Sequence, residues 1–413
     1  MYLLYRKIII LVVCIIGVQS FFFLSPAFAA DPPLFKIDAK AALLIDALSN
    51  QVIFEQNPHQ QLAPASLAKL MTLYLVYDAL QAGLVKADDE VLISKKAWET
   101  QGSKMFVEVG KRVELQKLLE GIASISGNDA CIAVAEYLSG MEEIFVVKMN
   151  EKADSLGMTN THFENVSGLP AEKQLTTASD IGILAYHYIK NHPEALPIHS
   201  IKKFTFSGIT QHNRNGLLWL NEGVDGLKTG WIDNGAGFHL VATAQKEDQR
   251  LIAVVMGARD QRTRENEALK LLNYGFKNFS TVSVYNQDDP IETVDVWKGN
   301  ANQVSLIAAE PGIVTVPAGE EGAITLIRKA PERISAPLSA GETVGELEIT
   351  VQGKLLKKIP LVAQNDVPSA NLIKRLFHTA LLSCILPPYW GWIVLVLLFL
   401  LMVFAGLMMR RGV

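Results

Sequence analysis

The sequence predicts an α+β protein with a small all-β module behind it. Three observations predict this. Between residues 31 and 279, helical and strand-like patterns are interspersed, as when strands are backed by helices. From about residue 280 the texture changes to short β-branched runs separated by turn residues. And the roughly 335 residues between two apolar ends are too many for one ordinary core.

Residues 1–30 read as a secretory signal peptide. Arg6 and Lys7 form a basic head, an apolar stretch runs from Ile8 to Leu24, and Ala27-Phe28-Ala29 gives a signal-peptidase pattern. An uncleaved N-terminal anchor is the alternative, because the apolar run approaches spanning length. Both readings place the body outside the cytosol.

Residues 31–279 form the first folded region. Ser66 to Ala79 reads as a mostly apolar helix. Leu115 to Leu138 holds two helical patterns flanking Ser124-Ile125-Ser126-Gly127-Asn128. Leu251 to Met256 reads as a buried strand, and Arg264 to Phe276 as an amphipathic helix. Residues 280–366 form the β module. Its strands are expected at Thr281–Tyr285, Val294–Trp297, Val304–Ile307, Ile324–Ile327 and Leu347–Val351, with turn signals such as Lys298-Gly299-Asn300 among them.

Residues 367–386 read as a juxtamembrane amphipathic helix. Leu372, Ile373, Leu376, Phe377, Ala380 and Leu381 fall on one face, and Asn371, Lys374, Arg375 and His378 on the other. Pro387-Pro388 then breaks the pattern. Residues 389–409 read as a transmembrane helix, since Trp390 to Met409 carry no charge and about 20 apolar residues span a bilayer. Arg410 and Arg411 favour a cytoplasmic C-terminus.

The formal net charge is −4, and loss of the signal takes it to about −6, with no basic patch to suggest nucleic acid. Of the three cysteines, Cys14 and Cys384 lie in the two membrane-associated ends, and Cys131 sits in an apolar run; no disulfide is implied. The eight histidines show no metal-ligand spacing, so neither a metal nor a cofactor is expected.

Three short motifs carry the chemistry. Ser66-Leu67-Ala68-Lys69 puts a hydroxyl and an amine on one helical face. A helix N-terminus at Ser66 favours an alkoxide there, while burial disfavours a protonated Lys69, which could then serve as base. Ser126-Gly127-Asn128 supplies a hydroxyl to pass a proton and an amide to hold a substrate carbonyl and Lys69 at once. Lys228-Thr229-Gly230 suits a strand edge against an anionic peptide end, although alternation would point Lys228 and Thr229 to opposite faces. Arg214, Arg259 and Arg264 are candidates for a carboxylate clamp, with a surface ion pair the better reading of Arg259.

With these residues in place, the chain resembles the serine D-alanyl-D-alanine carboxypeptidases, the low-molecular-weight penicillin-binding proteins. The resemblance spans roughly Phe35 to Val367. It rests on Pro64–Thr72, Ser126–Cys131, Asn160–Phe163, Gln211–Trp219 and Val224–Gly230. It implies a penicillin-binding/β-lactamase-like transpeptidase domain, an antiparallel sheet with helices, followed by a small β domain. It further implies Ser66 as nucleophile and Lys69 as base. Ser126 and Asn128 line a second wall. Lys228, Thr229 and Gly230 bind substrate with Arg214 and Arg264, and the backbone N–H of Trp231 joins that of Ser66 in an oxyanion hole. Relatives often carry His where this chain has Trp231, and the extra membrane span departs from their usual amphipathic anchor.

The implied substrate is the peptidoglycan stem pentapeptide, with β-lactams as covalent inhibitors, at the outer face of the cytoplasmic membrane. The same motifs serve DD-endopeptidases, which the β module and anchor disfavour. A serine β-lactamase would need a deacylating carboxylate, for which the sequence offers no secure candidate. A membrane-tethered wall-binding protein without activity would not need intact motifs.

Overall fold

The structure is a computed structural model that describes residues 35–375, apart from 221 and 234, together with 396 and 400. The expected signal peptide, most of the amphipathic helix and nearly all of the transmembrane helix lie outside those residues. Residues 372–375 are helical, and no helix among the described residues is long and apolar enough to cross a membrane. The chain divides into two compact units. One holds residues up to 282 with 314–322, and the other holds 283–313 and the chain from 323 onward.

The first unit is built on a five-stranded antiparallel sheet. Its strands are β1 (Ala41–Asp46), β2 (Val52–Gln56), β7 (Val224–Ile232), β8 (Gly237–Lys246) and β9 (Gln249–Ala258), in the order β2-β1-β9-β8-β7. Two short hairpins complete the strand numbering, β3 (Glu90–Leu92) with β4 (Arg112–Glu114) and β5 (Lys203–Phe206) with β6 (Ile209–His212). The order leaves β7 at an edge, with no strand on its outer side.

Strand alternation sends side chains to both faces of this sheet. Ala41, Leu43 and Ile45 of β1 join one apolar cluster, and Ala42 and Leu44 join the other. The first cluster is mostly helical. It includes α1 (Lys69–Gln81), α3 (Leu115–Ile125), α4 (Asn128–Ser139) and α6 (Ala178–Asn191), with α2 (Lys95–Glu99), α5 (Glu142–Leu156) and α7 (Leu196–His199) adding residues around them. The second cluster is closed by α8 (Gln261–Asn278), through Ala268, Leu271 and Leu272.

Helix α1 buries nine of its thirteen residues. A helix apolar all round has no solvent face to choose, so it is driven to the centre. It begins at Lys69, three residues later than the sequence suggested. Ser66 sits instead in a 3-10 turn, Ala65–Ala68, that feeds directly into α1. The tighter winding brings positions i and i+3 almost into register, which suits the Ser66–Lys69 pair.

The second unit carries a six-stranded sheet of order β14-β16-β17-β12-β11-β15. These strands are β11 (Pro290–Trp297), β12 (Gln303–Ala308), β14 (Ile324–Lys329), β15 (Arg333–Ser335), β16 (Thr343–Val351) and β17 (Lys354–Ala363). Only the β11–β15 pair is parallel among them. Ile359, Leu361 and Ala363 are buried while Lys358 and Pro360 beside them are exposed, the signature of a sheet with one dry face. β10 (Phe279–Ser283) and β13 (Ile313–Pro317), which fall almost wholly in the first unit, pair with each other separately. Isolated bridges at Val367 and Ser369 carry the pairing past residue 366.

Candidate active site

Three segments from distant parts of the sequence meet at one cleft of about 810 Å³. The turn Ala65–Ala68 brings Ser66. The junction of α3 and α4 brings Ser126 and Asn128. The edge strand β7 brings Thr229, Gly230 and Trp231. Arg214 and Arg264 line the same cleft. Lys69 and Lys228 are fully buried against it.

The Lys69 ammonium donates to Ser66 Oγ at 3.0 Å and to the Ser167 carbonyl oxygen. Burial pushes the lysine down to about 8, partly opposed by Cys131 and assisted by the positive charge of Arg214. An amine poised near 8 exists in both forms at neutral pH, so it can take a proton from an adjacent hydroxyl and return it. Lys228 is held well below the ordinary lysine range, first by burial and then by the charge of Lys69. The two lysines therefore oppose each other's protonation.

The alternation in β7 separates its two polar residues. Thr229 lines the cleft, while Lys228 is buried and its Nζ donates to the Thr229 carbonyl at 3.2 Å. Gly230 is closely packed. A Cβ there would stand 3.3 Å from Ala65 Cβ and 3.4 Å from the Ser66 nitrogen, so the strand lies directly against the serine turn.

Ser126 caps α3 in a left-handed conformation, φ 65°, ψ 38°. Its Oγ is buried without a hydrogen-bond partner. A buried hydroxyl left unmatched costs about 1–3 kcal/mol, and the left-handed backbone of a non-glycine residue adds local strain. The Asn128 side-chain amide donates to the Gln101 carbonyl at 2.6 Å, and no contact with Lys69 is seen. Sequence reading missed this loop, in which Gly102 and Ser103 form part of the cleft wall. Asp129 holds it, accepting from the backbone nitrogens of Met105, Phe106 and Val107 at 2.9–3.3 Å.

Arg264 donates through Nη2 to the Arg214 carbonyl and to Glu265 Oε1, both at 3.1 Å, and its Nε is buried without a partner. Arg259 is mostly exposed and pairs with Asp38 at 3.7 Å, a surface ion pair. Trp231 is also exposed and packs beside Phe238, with ring centroids 5.9 Å apart.

Two buried histidines hold the walls. His199 Nδ1 donates to the Leu227 carbonyl at 2.9 Å, one residue before Lys228, and its Nε2 accepts from the Tyr188 hydroxyl at 3.0 Å. His239 Nε2 donates to the Ala63 carbonyl at 3.1 Å, three residues before Ser66, while its Nδ1 accepts from the Gly257 nitrogen at 2.9 Å. Burial pushes both down to about 4, so both are neutral at pH 7. Nothing in their sequence spacing signalled this. Among the described residues, no cluster of His, Cys, Asp and Glu could hold a metal ion.

With the geometry set, comparison with known proteins decides the family. The profile described as D-alanyl-D-alanine carboxypeptidase matches residues 26–260. The chain belongs to the D-alanyl-D-alanine carboxypeptidase family.

A second profile, the C-terminal domain of penicillin-binding protein 5, matches residues 279–369 of this carboxypeptidase. It is 41% identical over 376 residues to the D-alanyl-D-alanine carboxypeptidase DacC of Escherichia coli strain K12, covering 88% of this chain and 93% of that one. Penicillin-binding protein 5 from Haemophilus influenzae has a similar solved structure, with TM-score 0.78, 37% identity, 81% of this chain and 99% of that one covered. Penicillin-binding protein D2 from Listeria monocytogenes, solved in its ampicillin-bound form, matches with TM-score 0.54 and 29% identity over 59% of this chain and all of that one. The carboxypeptidase is thus a serine-type enzyme of the penicillin-binding protein family.

Proposed function

We propose that the enzyme removes the terminal D-alanine from peptidoglycan stem pentapeptides through an acyl-enzyme on Ser66. The observation that carries this reading is the buried Lys69 amine 3.0 Å from the Ser66 hydroxyl, in a cleft whose far wall is an edge strand. An edge strand offers unpaired backbone groups to an extended peptide, and Thr229, Lys228 and Arg214 offer positive or donating groups to its terminal carboxylate.

Neutral Lys69 takes the Ser66 proton as Oγ forms a bond to the carbonyl carbon between the two D-alanines. The backbone N–H groups of Ser66 and Trp231 stabilise the oxyanion. Collapse breaks the C–N bond, and the proton reaches the leaving amine through the free Ser126 hydroxyl. Water then adds to the acyl carbon, giving its proton to the base, and Ser66 Oγ leaves reprotonated. A β-lactam enters by the same attack, but its opened ring stays attached and hinders the water.

The chain ends support export by the signal peptide and retention on the cytoplasmic membrane by the apolar span at 389–409, with the catalytic unit outside. Residues 31–279 act as the catalytic domain and residues 280–366 as a spacer or docking module.

The test is to label purified protein with fluorescent penicillin, then supply a D-Ala-D-Ala pentapeptide and a cross-linked dimer. Labelling and D-alanine release, both lost in Ser66→Ala, are expected. Cleavage of the dimer alone would make it an endopeptidase, rapid penicillin turnover a β-lactamase, and absence of labelling a wall-binding protein.

A further inference from the structure

The Ser167 carbonyl that meets Lys69 lies in an irregular loop, and a side chain builds that loop. Asn165 Oδ1 accepts from the backbone nitrogens of Ser167, Gly168 and Leu169 at 3.3, 2.8 and 3.0 Å. Its Nδ2 donates to the Leu169 carbonyl at 3.0 Å, closing the loop from the other side. The buried Gln174 repeats the arrangement one layer out. Its Oε1 accepts from the nitrogens of Glu164 and Asn165, both at 3.0 Å, and its Nε2 donates to the Leu169 carbonyl at 2.8 Å.

The loop is also pressed against the catalytic turn. Gly168 has φ +80°, and a Cβ there would fall 1.8 Å from the Ala65 carbonyl oxygen. Thr72 Oγ1, one turn into α1, donates to the Val166 carbonyl at 2.7 Å. Consecutive carbonyls, Val166 and Ser167, thus point at consecutive polar groups of α1, Thr72 and Lys69. No backbone ladder fixes these carbonyls, and side chains hold the loop instead, Asn165 and Gln174 together with Glu142, whose Oε1 accepts from the Val166 nitrogen at 3.2 Å.

We propose that Asn165, backed by Gln174, is a positioning residue for the catalytic amine: it turns the Ser167 carbonyl onto Lys69 Nζ and so aims the amine at Ser66. A neutral amine has two N–H groups and one lone pair. With one N–H engaged by Ser167, rotation about the last side-chain bond is restricted, and the lone pair can be directed at the Ser66 proton. This inference rests on the reading of Lys69 as the base.

The experiment is the pH dependence of Ser66 acylation by fluorescent penicillin in the full chain, for wild type, Asn165→Ala, Asn165→Asp and Gln174→Ala. The groups facing Lys69 are Ser66, Cys131 and Asp129 on α4, Arg214 and Lys228, and none of them is altered. In Asn165→Ala the plateau rate falls roughly 10- to 100-fold, as expected for a displaced reacting group. Loss of a carbonyl that favours the ammonium form also moves the rising limb to lower pH. Asn165→Asp keeps the acceptor for the three nitrogens and recovers most of the rate.

A purely structural role would lower the labelled fraction with the limb unmoved, and that result overturns the inference. So does a wild-type plateau and limb in Asn165→Ala. Should Asn165→Ala fail to fold, Gln174→Ala carries the same test, with a smaller fall and the same direction of shift. A wild-type profile with no rising limb, or labelling retained in Lys69→Ala, would instead overturn the reading of Lys69.

Discussion

In the second unit the nearly buried Glu348 carboxylate is met by Lys329 at 2.6 Å and Lys358 at 2.9 Å, which hold it down to about 2. In the first unit Lys69 and Lys228 are more deeply buried, and neither makes an ion pair among the described residues. The two regions treat charge in opposite ways. A sheet whose task is to stay folded matches its buried carboxylate with two cations. The cleft leaves two amines, a serine hydroxyl and a guanidinium nitrogen incompletely matched, all where a peptide carboxylate and carbonyl would enter. Burial without a carboxylate partner depresses the lysines, and a depressed lysine is what the acyl-transfer chemistry needs.

The largest effect expected from breaking this contrast is at the nucleophile. Ser66→Ala removes acylation altogether and lowers D-alanine release by at least about 10⁴-fold, with a circular dichroism spectrum like wild type. Lys69→Ala follows, with a fall of about 10²- to 10⁴-fold in acylation rate, the scale of a lost general base. Lys69→Arg should do no better, because a guanidinium stays protonated. Wild-type rates in Lys69→Arg would show that charge, not basicity, is what the site uses.

Arg214→Ala and Arg259→Ala separate a cleft arginine from a surface one. Removing Arg214 should lower kcat/KM for the pentapeptide about 10- to 100-fold, mainly through KM, as for a carboxylate contact worth about 1.5–3 kcal/mol. Removing the exposed Arg259 should leave both constants unchanged and shift stability by no more than about 0.5 kcal/mol. Equal effects would mean that the clamp has been misassigned.

The smallest effect is on stability, and it too divides the units. His199 and His239 lie in the first unit, and no histidine lies among the described residues of the second. Their folded values are near 4 against about 6.5 unfolded, so the unfolded state binds more protons between those limits. Their contribution is complete above pH 6.5 and declines as pH falls toward 4, by at most on the order of 3 kcal/mol each. Glu348 behaves as a depressed carboxylate, and what it adds is lost only as pH falls from about 4.5 toward 2. Acid titration followed by hydrogen exchange should therefore loosen β7 and β8 before β16. The reverse order would show that these histidines are not the acid-sensitive element.

The sequence made legible what local pattern controls. The apolar run after Ser66 marked a central helix, and the short β-branched run Leu347–Val351 marked a strand of the module. β17 was not legible, because Lys357, Lys358 and Pro360 interrupt its apolar positions and only the pairing with β16 and β12 shows how they alternate. The motifs placed Ser66, Lys69, Ser126 and Lys228 because each is embedded in a distinctive run. The parts that aim them were hidden. Asn165, Gln174, Asp129, His199 and His239 act through contacts with backbone atoms, many of them distant in sequence, and such contacts leave no periodic trace. Nothing in Ser167-Gly168-Leu169-Pro170 pointed at Lys69.

The central claim is that burial lowers Lys69 until it can deprotonate Ser66. The rate of Ser66 acylation by penicillin, measured in the full chain from pH 5 to 10, tests it most directly. The rate should rise with pH and level off, with an apparent pKa near 8. A rate flat across that range, or still rising at pH 10 as for an ordinary lysine, would contradict it.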